Sequence, residues 1–237
     1  MTSERKHRKD ILRFGKMIHE RGFIAATDGN LSVRLSKNRI LTTPTAMCKG
    51  MMQNSDLVVC DLDGNRVSGR RHVSSEIAMH LLIYRMRPDV NAIVHAHPPT
   101  ATGYAAAGVP LSQPLLSEVI ICLGNIPLAE YGTPGTPELS QALAPLVPEN
   151  DAILMSNHGV VTYGDDLHVA YMRMETVEHF ARIALVTHLL GRQKLLTERD
   201  VEKLQSVRAK YVTALNHGHK NGGRERSSRQ GTGTKSH

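Results

Sequence analysis

The chain has no tryptophan, three phenylalanines and three cysteines in 237 residues, and no long uncharged apolar run. With so few large aromatics, its core has to be built from aliphatic side chains and methionine. Cys48, Cys60 and Cys122 are odd in number and form no Cys-x-x-Cys pair. That excludes a disulfide framework and a thiolate zinc knuckle, and it fits a reducing, cytoplasmic setting. No segment approaches membrane-spanning length, and the N-terminus is charged where a signal peptide would be apolar. The expectation is a soluble, cytoplasmic protein with no membrane partner.

The formal net charge of +7 would invite a nucleic-acid reading if it were spread over a folded face. It is not. Residues 1–16 carry +4 and residues 217–237 carry +4, which leaves the body between them at −1. A basic run confined to the ends is a solvated terminus, so no nucleic-acid partner is expected. The last segment is rich in Gly, Ser, Arg and Lys with nothing to bury. The chain is therefore read as one domain, 1–216, followed by a disordered basic tail, 217–237.

Along the body, strand and helix signals take turns. Residues 7–21 read as an amphipathic helix stopped by Gly22. A strand is expected at Leu31–Leu35, a second before Pro44, and a hairpin across "DLVVCDLDGNRVSG". "SSEIAMHLLIYRMRPDV" reads as a helix whose first turn holds Glu76 behind two hydroxyl residues and which ends before Pro88. "VNAIVHAHPP" is a strand, followed by a Gly- and Pro-punctuated stretch to about residue 135. A helix near Pro137–Leu146, two apolar runs around the turn in "AILMSNHGVVTYG", a long helix and a last helix over 198–215 complete the pattern. In the long helix Leu167, Ala170, Met174, Val177, Ala181 and Ala184 recur at spacings of three and four, which marks one buried face.

Two histidines stand out in "NAIVHAHPPT". On a strand, residues i and i+2 share a face, so His95 and His97 project side by side and can grip one metal ion or be hydrogen-bonded without one. His158, in "SNHGVV", sits at a polar turn beside a glycine that lets the backbone bend. Glu76 follows Ser74 and Ser75 where a helix N-terminus attracts anions. His80, one turn later, reads as a packed or hydrogen-bonded histidine rather than a further ligand, and Lys49 as a surface residue.

Taken together and in order, "DGNLSVR" (Asp28–Arg34), "TPTA" (Thr43–Ala46), "SSE" (Ser74–Glu76), "HAHP" (His95–Pro98), "NHG" (Asn157–Gly159) and the following "METVEHFARIA" resemble the class II aldolase/adducin family, most closely its L-fuculose-phosphate aldolase branch. The resemblance covers nearly the whole chain. It implies a three-layer α/β/α fold with a central, mostly antiparallel sheet, assembled as a homotetramer around a fourfold axis with active sites between subunits. It also implies one zinc, or a similar divalent transition metal, per chain, held by His95, His97 and His158. Glu76 would be the catalytic acid–base and a metal ligand when no substrate is bound. The family's phosphate pocket falls on Gly29, Asn30, Thr45, Ala46, Ser74 and Ser75, with alanine at 46 where glycine is common. A neighbouring subunit's tyrosine and a C-terminal one assist in the family, and Tyr131 and Tyr211 are the residues here that suggest themselves.

What the resemblance implies is an aldolase that cleaves a ketose 1-phosphate, L-fuculose 1-phosphate or a related deoxy- or methylthio-pentulose 1-phosphate, into dihydroxyacetone phosphate and an aldehyde. Leu115, Leu116, Val119 and Ile120 are the expected apolar lining for the aldehyde end. Dehydratases and decarboxylases on this scaffold can keep the glutamate and stay open as alternatives, whereas the epimerase branch typically has aspartate at position 76. An adducin-like interaction module would dispense with the ligands.

Overall fold

In the computed structural model, which describes residues 4–208, the first helix α1 (Glu4–Glu20) turns Ile11, Phe14 and Ile18 inward and ends two residues before Gly22. Strands β1 (Asn30–Ser36) and β2 (Arg39–Thr42) follow, the second ending two residues before Pro44. The hairpin is β3 (Val58–Cys60) and β4 (Arg66–Ser68). Helix α2 (Ile77–Met86) leads to β5 (Ala92–Ala96). Between residues 99 and 135 lie three elements that were not anticipated: α3 (Pro99–Ala106), α4 (Ser117–Cys122) and the two-residue strand β6 (Leu128–Ala129). Helix α5 (Pro137–Leu143), strands β7 (Ala152–Met155) and β8 (Gly159–Gly164), and helix α6 (Leu167–Leu189) stand where the periodicity places them. Residues 198–208 are helical. The rest of that helix, Tyr211 and the 217–237 tail lie outside the described residues.

The eight strands form one sheet in the order β4-β3-β2-β1-β5-β8-β7-β6. Every neighbouring pair is antiparallel except β6 with β7. Strand alternation divides the core in two. Leu31, Val33, Val94, Ala96, Leu154 and Val160 face α1, α3, α4 and α6. Ile40, Ile93, Ile153, Val161 and Tyr163 face α2 and α5. This is the expected three-layer architecture. The six periodic positions of α6 are all buried, and burying the Leu167, Met174 and Val177 side chains contributes roughly 1.5–3 kcal/mol each. Among the described residues no helix is long and apolar enough to cross a membrane.

The pairing registers bring the start of β1 and the end of β5 together, with Asn30 opposite His95. The β7–β8 turn lies at the same end, because Ala96 pairs with Val160. His95 lies on the same face as Ile93, the face covered by α2. The sheet therefore delivers His95 toward the N-terminus of α2, where Glu76 stands.

Candidate metal centre

His95, His97 and His158 converge as the strand argument predicts: their ligand atoms lie within 4.8 Å of one another. The ring centroids are 4.8–5.2 Å apart. His95, fully buried, has its Nδ1 2.9 Å from the carbonyl oxygen of Val160. A carbonyl only accepts, so Nδ1 carries the proton and Nε2 is left with a bare lone pair toward the centre. That Nε2 is 3.1 Å from Nε2 of His97. Behind His97, Asp28 Oδ2 lies 3.5 Å from Nδ1.

Glu76 completes the cluster. It occupies the residue just before α2, not the first turn, and its side chain makes no cap bond to the helix. Its Oε2 lies 3.3 Å from His95 Nε2, and its Oε1 lies 2.9 Å from His158 Nε2. The latter approach is not lined up as a hydrogen bond: Oε1 is buried without a hydrogen-bond partner, as is His158 Nδ1. Burial alone would lift the Glu76 carboxyl, but the neighbouring His95 and His158 imidazoles hold it well below the usual carboxylate range. Burial, followed by the His95 and His158 rings, brings His97 down to about 4. The result is a carboxylate facing imidazoles whose nitrogens crowd one point, with one carboxylate oxygen unsatisfied. A divalent cation fits that donor set, since it would satisfy the orphaned oxygen and accept the inward lone pairs.

The remaining expected site residues come together beside it. Pro44 and Val73 form an isolated antiparallel bridge, and Thr45 N donates to His72 O at 3.3 Å, so the segments carrying Thr45–Ala46 and Ser74–Ser75 run side by side. Ala46 holds a φ of 53°, the left-handed conformation that glycine would take at this position. Ser74 Oγ accepts from Glu76 N at 3.3 Å. Gly29 has a φ of 68°, and a Cβ there would sit 2.7 Å from the His95 carbonyl oxygen, so only glycine fits. Asn30 is buried, and its Nδ2 donates to Glu76 Oε2 at 2.8 Å.

Several expectations are corrected. Gly159 does not bend the chain; Asn157 does, with a φ of 55°. The glycine leaves room instead, since a Cβ at 159 would lie 2.5 Å from His97 Cδ2. Lys49 is not a surface residue but 2% exposed, and its ammonium donates to the carbonyl of Thr27. Burial, partly offset by Asp28, lowers it to about 8. The four apolar residues proposed for the aldehyde end do not form one wall. Leu115 lines an apolar cleft of about 630 Å³ between α3 and α6, Leu116 and Val119 line a second cleft, and Ile120 is buried. Tyr131 is 58% exposed. His80 is hydrogen-bonded to Asn30 and Ser32, as the structural reading of it expects.

One supporting residue went unread. Glu178, on the inner face of α6, accepts from Thr100 N, Thr100 Oγ1 and Ala101 N, and so caps the helix that begins two residues after His97. The only hint in the sequence was a glutamate beside the buried stripe of a helix.

The class II aldolase and adducin N-terminal domain matches residues 9–185. A 5-deoxy-D-ribulose 1-phosphate aldolase of Bacillus thuringiensis is 34% identical over 201 residues, which are 84% of this chain and 93% of that protein. A 3-oxo-tetronate 4-phosphate decarboxylase of Escherichia coli is 32% identical over 209 residues, covering 86% and 97%. A solved structure of L-fuculose 1-phosphate aldolase superposes with a TM-score of 0.80 at 33% identity, covering 87% of this chain and 97% of that one.

Proposed function

Because the chain belongs to the class II aldolase and adducin family, we propose that it is a zinc-dependent aldolase that cleaves a ketose 1-phosphate into dihydroxyacetone phosphate and an aldehyde. The observation that carries the reading is the convergence of His95, His97 and His158, with the buried Glu76 Oε1 2.9 Å from His158 Nε2 and without a hydrogen-bond partner. His95, His97, His158 and, before substrate arrives, Glu76 would hold the ion. Three neutral imidazoles suit zinc and leave its charge of two uncompensated once Glu76 moves off. When bound, the cation supplies charge that offsets the negative charge developing on substrate oxygens as the carbon–carbon bond opens.

The residues of the chain do the rest. Gly29, Asn30, Thr45, Ala46, Ser74 and Ser75 are assigned the phosphate, which backbone amides and small hydroxyls can bind without a lysine. Glu76, ionised in the resting cluster, takes the hydroxyl proton in cleavage and returns a proton to carbon. The Val160 carbonyl holds His95 in the tautomer that presents Nε2. Leu185, Val186, Leu189 and Leu190, exposed at the end of α6, supply apolar surface for the homotetramer in which active sites lie between subunits.

The similarity to the decarboxylase supports a second reading, decarboxylation of a 3-keto sugar-acid phosphate. Both reactions break a carbon–carbon bond next to a ketone, so the same carboxylate serves either. A panel of ketose 1-phosphates assayed for dihydroxyacetone phosphate, run beside keto-acid phosphates assayed for carbon dioxide, separates them. The aldolase reading expects product in the first arm only. The first testable outcome for the residue roles is Glu76→Gln, which should lower kcat by about a hundred- to ten-thousand-fold with a modest change in KM. Near-normal turnover in that variant would sink the base assignment.

A further inference from the structure

Two short periodicities meet behind Glu76. Asn30, Ser32 and Arg34 share one face of β1, and Glu76, His80 and Tyr84 recur at intervals of four around α2. The contacts between them run in an unbroken series. Asn30 Nδ2 is 2.8 Å from Glu76 Oε2, and Asn30 Oδ1 is 2.5 Å from His80 Nε2. His80 Nδ1 is 2.6 Å from Ser32 Oγ, which is 2.8 Å from Tyr84 Oη. His80 and Ser32 are fully buried.

The direction of every bond follows from the carboxylate. Oε2 can only accept, so the Asn30 atom facing it is the NH2 group. Oδ1 is thereby turned to His80 and accepts from Nε2–H. A buried imidazole remains neutral, so Nδ1 is bare and accepts the Ser32 hydroxyl hydrogen. Ser32 has no second hydrogen to give, so Tyr84 donates to it. Four donors in line polarise one another toward the same end.

We infer that His80, Ser32 and Tyr84 are positioning residues: through Asn30 they form a one-way hydrogen-bond chain that holds Glu76 by Oε2 and leaves Oε1 turned to His158. This rests on the reading of Glu76 as the base and ligand. Without His80, Asn30 can rotate its amide and present Oδ1 to the carboxylate, which repels it. The Arg34 guanidinium closes the far end, lying 4.6 Å over the Tyr84 ring and donating to the Tyr84 carbonyl at 2.7 Å.

Two measurements test it. In zinc-loaded protein with 15N-labelled histidine, His80 should resonate as a neutral ring protonated at Nε2 throughout the neutral pH range; a ring protonated at Nδ1, or a charged one, overturns the chain. In kinetics, His80→Phe should lower kcat about 10- to 100-fold with little change in KM, the range typical of residues that orient a metal-site group. Ser32→Ala should cause a smaller loss, and Tyr84→Phe the smallest. His80→Gln, whose amide can place an N–H where Nε2 stands, should recover most of the loss. In a Glu76→Gln background, His80→Phe should cost little further kcat while its effect on melting temperature persists. Full multiplicative loss in that background means that His80 acts only through the fold, and overturns the inference. If Glu76→Gln alone turns over normally while His80 is protonated at Nε2, the base assignment fails and the chain of bonds stands. If the His80→Phe variant does not fold, Ser32→Ala in both backgrounds gives the same decision.

Discussion

Gly159 matters for the space it leaves. It follows His158 and packs under the ring of His97, so a methyl group would meet His97 Cδ2 at 2.5 Å and the Ala96 carbonyl oxygen at 2.7 Å. The carbonyl belongs to a residue held in the sheet by its pairing with Val160, so the imidazole has to give way. Gly159→Ala is expected to cost about 1–3 kcal/mol through overpacking. It should also weaken zinc binding by about 10- to 100-fold through misplacement of one ligand. Zinc titration and thermal melts check both. Normal zinc affinity in a stably folded Gly159→Ala variant would show that His97 is not held by this contact.

At the scale of elements, loops are joined by side chains that sequence periodicity does not reveal. Lys49, in the segment between β2 and β3, donates to the carbonyl of Thr27 in the segment that leads into Gly29 and Asn30. Its ammonium is buried and lowered from 10.5 to about 8. Between those values the unfolded chain binds a proton that the folded one does not, so this residue makes stability rise with pH from about 8 to about 10.5. Denaturant melts of the wild type and Lys49→Met should therefore diverge across that interval, with the wild type gaining relative to the variant. Parallel curves would mean that Lys49 is not held as a buried ammonium.

The same distinction explains what could be read beforehand. Helices α1, α2 and α6 and the central strands carry clear hydrophobic periods, and they appeared where those periods lie. Helix α3 is "PTATGYAA", small residues with an internal glycine and no apolar stripe, and it is held by Glu178 from 78 positions away. Helix α4 has six residues and β6 has two, too few for any period to show. That His95, His97, His158 and Glu76 would lie together was legible because imidazole and carboxylate chemistry is specific. The depth of Lys49, the space under Gly159 and the bonds of His80 were not, because each depends on which distant element covers it.

At the scale of the whole molecule, the centre brings together parts of the chain that lie far apart in sequence. Glu76 enters from the start of α2, His95 and His97 from the end of β5, and His158 from the β7–β8 turn. A cation held by all four binds only when the sheet and α2 are in place, so its binding free energy adds to that of folding. At a free concentration 100 times Kd the gain is about 2.7 kcal/mol. For a domain of this length, that corresponds to a rise in melting temperature of roughly 5–10 °C. Removal of the metal by a chelator should lower the global melting transition by that amount, and zinc should restore it. In His158→Ala the starting transition should already be low, with little further response to chelator or zinc. If chelation abolishes activity in the wild type while the melting temperature stays fixed, the ion does not span these elements, and the ligand set assigned here is wrong.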